Sequence, residues 1–229
     1  MFTLRRTDAD DSWCARLRTD VAAGLLETGV AGLAVNVRDE PVRASLMTLT
    51  TLDPAVVAVV SVWTQQYYGP QLVAVTDMLG RECDALAAYL VTESVPMAPP
   101  PVVGERTEGL ANVALLRRPA DLDEQTWRTR WHQDHTPVAI ATQATFGYIQ
   151  NTVVRALTPD APRIDAIVEE LFPLPAVSDL HAFFGAADDA DLGDRMQRML
   201  ASTGAFGADR DVDTVPTSRY VLRTPFAAG

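Results

Sequence analysis

The feature that most constrains the fold of this 229-residue chain is an internal repeat. The tripeptide Leu-Arg-Arg occurs at 4–6 and again at 116–118, and a Leu-Gly pair occurs at 79–80 and again at 192–193. The two anchors are 73 positions apart in the first half, from Arg6 to Leu79, and 74 apart in the second, from Arg118 to Leu192. Such a chain is expected to form two similar units rather than one irregular domain.

A proline-rich segment separates the two halves. Four of the ten residues VPMAPPPVVG, at 95–104, are proline. Proline lacks an amide donor and fixes its own φ angle, so the segment is predicted to be an extended linker. The predicted domains are therefore residues 1–104, which include the linker, and residues 105–229.

The second half predicts alternating strands and helices. Asp121 and Glu124 have the spacing of a capping box, which indicates that a helix begins there. Trp127, Trp131 and His135 recur at helical spacing. The predicted elements are a strand at 110–118, this helix, strands at 145–154 and 163–172, a helix at 191–203 and a strand at 217–223. A short helix also fits 163–172.

The first half predicts nearly the same order. Its elements are a strand at 2–6, a helix at 12–29, strands at 32–37 and 56–63, and a helix at 78–91. The pattern does not identify its last strand. The order β-α-β-β-α-β is that of a ferredoxin-like unit, which covers one sheet face with helices and leaves the other face bare. We therefore predict an α+β fold in which two tandem ferredoxin-like units form a single-chain pseudo-dimeric α+β barrel and enclose a ligand space.

Composition excludes some partners. The formal net charge is −11, which disfavours nucleic acid because that partner needs a basic surface. No apolar run approaches the roughly 20 residues of a membrane span, and the acidic N-terminal stretch is unlike a signal peptide. The two cysteines show no metal-ligand spacing. We expect a cytoplasmic protein, a monomer or a homodimer, with no metal and no cofactor.

The second half is similar to a known family. Trp131 lies four residues before His135, Pro137 follows, and the strands GYIQN at 147–151 and VEELF at 168–172 come later. Over about 110–225 this pattern resembles the EthD-domain family of the dimeric α+β barrel superfamily. The chain departs from that pattern at Arg130, where the family has histidine, and at Leu171 and Phe172, where it has a tryptophan. The first half resembles a degenerate copy.

His135 is the candidate general base, because it shares a predicted helical face with Trp127 and Trp131. His132 is expected to point away from that face, toward solvent. Pro137 should distort the helix by freeing a backbone carbonyl four residues earlier. The alternative is that His135 is simply a hydrogen-bonded core residue.

The strands supply the other candidates by alternation. Phe146, Tyr148 and Gln150 should share one strand face, which we expect to look into the barrel. Glu170 should also face inward, with a pKa raised by burial, unless a one-residue register difference puts Glu169 there instead. Ordinary sheet packing is the alternative for Tyr148 and Gln150. His181, before the last helix, is placed at the cavity mouth or on the surface.

The resemblance implies a cofactor-independent enzyme on a hydrophobic aromatic or polycyclic carbonyl compound. The preferred reaction is a dehydratase- or cyclase-type lyase reaction, with His135 as base and Tyr148 or Glu170 as proton donor. Trp127, Trp131, Phe146, Gln150 and His181 would bind the substrate. The alternatives are an oxidoreductase of the monooxygenase type, and a barrel that binds a small molecule without catalysis. A metal at His132 and His135, or haem at His135 or His181, is left open.

Overall fold

The computed structural model describes residues 1–226, in which eight antiparallel strands form a closed barrel. The strands are β1 (Phe2–Arg5), β2 (Gly32–Val37), β3 (Val56–Trp63), β4 (Ala85–Met97), β5 (Leu110–Leu116), β6 (Gly147–Ala156), β7 (Ala166–Phe172) and β8 (Asp213–Arg223). Their order around the barrel is β1-β3-β2-β8-β5-β7-β6-β4. The predicted α+β class is confirmed.

The strand order repeats between the halves. The first four strands lie in the order β4-β1-β3-β2, and the last four lie in the order β8-β5-β7-β6, which is the same order shifted by four. Two antiparallel junctions, β2 with β8 and β4 with β6, join the two sets and close the barrel. Closure leaves no free sheet edge in the described barrel.

Helices cover the outside of the barrel. They are α1 (Asp11–Arg16), α2 (Ala22–Glu27), α3 (Glu40–Arg43), α4 (Pro70–Gly80), α5 (Glu124–Thr129), α6 (Thr136–Thr142), α7 (Leu180–Phe184) and α8 (Asp189–Phe206). A π-helical turn, Leu17–Val21, joins α1 to α2, and a second one, Arg130–His135, joins α5 to α6. A 3-10 turn, Leu174–Val177, precedes α7. Within residues 1–226, no helix combines the length and the apolar character needed to traverse a bilayer.

The predicted capping box at Asp121 is wrong, because the helix begins two residues later. The carboxylate of Asp123 accepts a hydrogen bond from the backbone N–H of Thr126 at 2.9 Å, so Asp123 is the N-cap. Glu124 is therefore the first helical residue rather than the partner of a cap. Asp10 caps α1 in the same way through the N–H of Trp13.

The predicted helix at 78–91 is also wrong. The helix of this region is α4, which ends at Gly80, and Ala85–Met97 is the strand that the first half was missing. Alanine-rich sequence favours a helix, but here the segment pairs with β1 on one side and β6 on the other. Tertiary pairing overrides local propensity.

The structure also changes the interpretation of the sequence repeat and of the predicted linker. Leu79-Gly80 ends α4, whereas Leu192-Gly193 lies near the start of α8, so these two pairs are not equivalent in the structure. The Leu-Arg-Arg anchors do fall at the ends of β1 and β5. The first three linker residues, 95–97, belong to β4.

Apolar side chains pack in separate layers. The barrel interior contains a cluster that includes Val59, Tyr89, Val113 and Ile167. A second cluster packs α1, α2 and α4 onto the first half. A third lies between the helices and the sheet of the second half, where it holds Trp127, Trp131 and Tyr148 with Phe206 of α8. This third layer, the helix–sheet layer of the second half, contains the candidate site.

Candidate functional site

The π-helical turn decides which helical side chains reach the sheet. A π-turn bonds residue i to i+5 rather than i+4, so the face of the helix advances by one residue. The hydroxyl of Thr136 accordingly donates to the carbonyl of Trp131, five residues earlier, at 3.0 Å. Pro137, which has no amide hydrogen, is the second residue after this turn. The turn therefore rotates His132 toward the sheet and His135 toward α8.

Gln150 of β6 joins the helix to the sheet. Its Oε1 lies 2.9 Å from Nδ1 of His132, and its Nε2 donates to the hydroxyl of Thr136 at 2.7 Å. The ring of His132 also packs on Trp131, with centroids 4.1 Å apart. The expectation that His132 points to solvent is wrong: the side chain is half-buried and held on two sides.

This network assigns the protons. Because the hydroxyl of Thr136 is already a donor to Trp131, it must accept from the Nε2 amide group of Gln150. The amide oxygen then faces His132, so Nδ1 of His132 is the donor. In a neutral His132, Nε2 therefore carries the lone pair and can accept a proton.

Tyr148 lies at the centre of the same layer. Its side chain is 1% exposed, and burial, followed by the charge of Glu170, raises the pKa of its phenol. Hydrogen bonding from Trp131, Gln150 and Thr136 acts in the opposite direction. The phenol is therefore a neutral donor in a water-poor environment.

Glu170 of β7 stands directly opposite Tyr148 in the strand register. It is 8% exposed, and burial raises its pKa to about 8. On its other side it is paired with Asn112 of β5, whose buried side-chain oxygen has no hydrogen-bond partner within the described residues. A carboxyl in this position holds its proton at neutral pH and can donate it.

The expected facing of the strands is corrected by the structure. Tyr148 packs with the tryptophans beneath the helices, Gln150 contacts the helix residues His132 and Thr136, and Glu170 shares this side of the sheet. None of the three looks into the barrel. The carboxylate of β7 that faces the barrel interior is Glu169, which was the alternative for a register that differs by one residue. Glu169 accepts from Asn36 at 2.7 Å and pairs with Arg219 at 3.0 Å. This interior cluster was missed because its members come from three distant strands.

His135 is buried between helices. Its Nδ1 lies 2.9 Å from the hydroxyl of Ser202, its ring lies 4.8 Å from that of Phe206, and 6% of the residue is exposed. Both partners belong to α8. Burial lowers the pKa of His135 to about 4, so it is neutral at physiological pH. Its contacts are those of a residue that fastens α8 to the preceding helix.

Trp127 and Trp131 lie where the sequence pattern predicted, on the inner face. They are 2% and 0% exposed, and their ring centroids are 5.2 Å apart. Phe146 precedes β6, and the edge of its ring lies beside Gly109. His181 is apart from this group, because it lies in the first turn of α7 and its Nε2 contacts Asp189 at 3.0 Å. Thr136 was missed because its role depends on the π-turn.

His132 also lies at the surface, beside α5. A shallow pocket of about 380 Å³ opens there and is lined by Glu124, Gln125, Arg128, Thr129, His132 and Gln133. His132 thus connects this pocket with Gln150. In the described part of the chain, no three His, Cys, Asp or Glu side chains are grouped so as to hold a metal ion.

Comparison with known proteins supports the family resemblance. Residues 119–196 match the sequence model of the EthD domain, and this segment contains His132, Tyr148, Gln150 and Glu170. A solved structure described as an anthrone oxidase-like protein superposes with a TM-score of 0.50 at 9% identity, over 100% of this chain and 94% of that one, which shows a shared fold. No curated protein matches the chain. The resemblance of the second half to the EthD-domain family is therefore confirmed, over residues 119–196.

Proposed function

We propose that this chain is an acid–base enzyme that removes water from a hydrophobic aromatic carbonyl compound. The observation that carries the proposal is Glu170, a buried carboxyl whose pKa is raised to about 8, beside Tyr148 and in the same layer as His132. Dehydration next to a carbonyl needs a base for a carbon-bound proton and an acid for the leaving hydroxyl. The site offers one of each.

In this proposal His132 replaces His135 as the base. Nε2 of His132 takes the proton from the carbon next to the carbonyl, and that electron pair forms a carbon–carbon double bond. The hydroxyl on the neighbouring carbon departs with the proton of Glu170 as water. Glu170 is left as a carboxylate and His132 as an imidazolium, and transfer of one proton from His132 to Glu170 restores both.

Gln150 acts through its two neighbours. Its amide oxygen accepts from Nδ1 of His132 and would strengthen that bond when the ring becomes positive. Tyr148 would donate to the substrate carbonyl as the negative charge of the enolate develops. Trp127 and Trp131 form the apolar wall that keeps water away from this exchange.

The surrounding fold fits a pseudo-dimer. The same strand order occurs in both halves, and a π-turn interrupts the first helix of each. We therefore interpret the barrel as two tandem ferredoxin-like units, divided near residue 105. The first unit has no histidine, since all three lie beyond residue 131. One chain would then carry one acid–base site.

Oxidation is the second candidate, and the anthrone oxidase-like neighbour favours it. Here Nε2 of His132 would remove a proton from an anthrone-type carbon, and the resulting carbanion would react with dioxygen. The balanced outcome is one anthrone and one dioxygen giving one anthraquinone and one water. This route needs the base but gives no task to a protonated Glu170, so the geometry favours dehydration.

Product analysis distinguishes the two reactions. The purified chain would be incubated with a series of aromatic β-hydroxy ketones and with anthrone, in air and without oxygen, and the products followed by mass spectrometry. Dehydration predicts loss of water from a hydroxy ketone with or without oxygen. Oxidation predicts a quinone from anthrone in air alone. Substrates that bind and return unchanged would contradict both and leave a binding barrel.

A further inference from the structure

A cavity of about 320 Å³ lies at the barrel end where β1 begins, and it is lined mainly by residues of the first half. Phe2 of β1 pairs with Val60 on one side and Ala88 on the other. The flanking strands continue past this register, and the cavity lies between 61–63 of β3 and 89–93 of β4. Its volume is within the range of small-ligand pockets.

Aromatic side chains form much of its wall. They are Phe2, Trp63, Tyr67, Tyr89 and Phe226. The hydroxyl of Tyr89 already donates to the carbonyl of Pro162 at 2.8 Å. Arg155 lies over the ring of Tyr67, 4.7 Å from its centroid, so one face of this ring already accepts a cation. Walls of this kind favour a flat apolar body and the attraction between a cation and an aromatic ring.

Glu93 supplies the charge. Among the described side chains that line the cavity, it is the one carboxylate, and in the described part of the chain it makes no ion pair. The basic side chain that acts on the pKa of Glu93 is Arg219, which is already paired with Glu169 at 3.0 Å. Glu93 is exposed to solvent at the rim of the cavity. Partial loss of hydration there, and then the charge of Glu169, raise the pKa of Glu93, so the carboxylate would gain from a positively charged partner.

We propose that this cavity is a second ligand site, which binds an organic ammonium compound with an aromatic body. The ammonium group pairs with Glu93, and the aromatic body lies against Trp63 and Tyr67. Asn151, directly opposite Glu93 in the β4–β6 register, and Ser61 provide polar contacts beside the carboxylate. The site is independent of the acid–base site, because none of its lining residues belongs to that site.

Isothermal titration calorimetry with phenethylamine tests the proposal, with phenethyl alcohol as the uncharged probe of matching shape. Because an ion pair at a solvent-exposed carboxylate adds at most about 1 kcal/mol, the amine should bind roughly two- to fivefold more tightly than the alcohol. Glu93→Gln should remove this preference and leave binding of the alcohol unchanged. The control Glu108→Gln, at an exposed glutamate outside the cavity, should keep it.

A second variant separates charge from shape. Tyr67→Leu removes an exposed aromatic wall and should weaken both probes while the melting temperature stays close to that of the parent. Equal binding of amine and alcohol, an unchanged preference in Glu93→Gln, or the absence of binding by either probe would each overturn the proposal.

Discussion

His132 and Gln150 are joined by a contact of 2.9 Å between Nδ1 and Oε1, although ideal α-helical spacing turns His132 away from the sheet. The π-helical turn is the cause, because it shifts the inner face of the helix by one residue. The histidine that shares the layer with Tyr148 and Glu170 is therefore His132. His135 instead contacts Ser202 of α8.

Replacing each of the two histidines in turn should affect turnover to very different extents. His132→Gln removes the proposed base and should lower kcat by about 100-fold or more, since general base catalysis typically contributes that much. His135→Gln should leave kcat within a few-fold of the parent, because glutamine can still bond to Ser202. Steady-state kinetics on the substrate identified by product analysis provides the measurement. A larger loss of kcat in His135→Gln than in His132→Gln would return the base role to His135.

Glu170→Gln should change the dependence of stability on pH. The folded pKa of about 8 lies above the ordinary value of 4.5, so the folded state holds a proton that the unfolded state has lost across this window. The associated stability is complete below pH 4.5 and is lost as the pH rises through 8. The parent should therefore lose on the order of a few kcal/mol relative to Glu170→Gln over this range.

Urea unfolding at a series of pH values between 4.5 and 8 measures this effect. Glu108→Gln, at an exposed position, is the matched control and should follow the parent curve. Parallel curves for the parent and Glu170→Gln would show that Glu170 does not hold its proton in the folded state, and would remove the acid from the proposed mechanism.

Tyr148→Phe should separate catalysis from packing. The change keeps the buried ring and removes the hydroxyl that would polarise the substrate carbonyl. Loss of one such donor typically lowers kcat by about 100-fold, whereas loss of one buried hydrogen bond lowers stability by about 1 kcal/mol. Kinetics and a urea melt on the same preparation give both values. An unchanged kcat with lowered stability would make Tyr148 a packing residue only.

Apart from β4, the strands were predictable from the sequence, but the direction in which each strand face points was not. The apolar runs at 32–37 and 56–63 match β2 and β3. Alternation also correctly groups Tyr148 with Gln150 on one face. It could not choose the face, because helices cover the barrel outside and apolar residues fill the inside. Every residue of β7 is buried, so polarity does not mark the solvent side.

The prediction for the helical part of the site was wrong for a different reason. Sequence periodicity assumes 3.6 residues per turn, and a single π-turn exchanges His135 for His132 on the inner face. Pro137 indicated a distortion but not its direction. Likewise, β4 is alanine-rich, and its strand conformation depends on pairing with β1 and β6, which local sequence does not encode.

His135 should make the fold sensitive to acid. Burial lowers its pKa from 6.5 to about 4, so its neutral form stabilises the folded state above pH 6.5, and that stability is lost as the pH falls through 4. Glutamine at position 135 keeps a partner for Ser202 but cannot titrate. As the pH falls through this window, the free energy of unfolding of the parent should therefore fall by roughly 3 kcal/mol more than that of His135→Gln. Urea unfolding between pH 6.5 and 4 measures the difference, in which the contribution of Glu170 cancels. The control Ser202→Ala, which removes the hydroxyl partner of His135 but leaves its buried ring in place, should keep the parental slope, because burial is the cause of the lowered pKa of His135. If His135→Gln also keeps that slope, the charge of His135 is tolerated between the helices, and its burial against α8 is not what limits stability in acid.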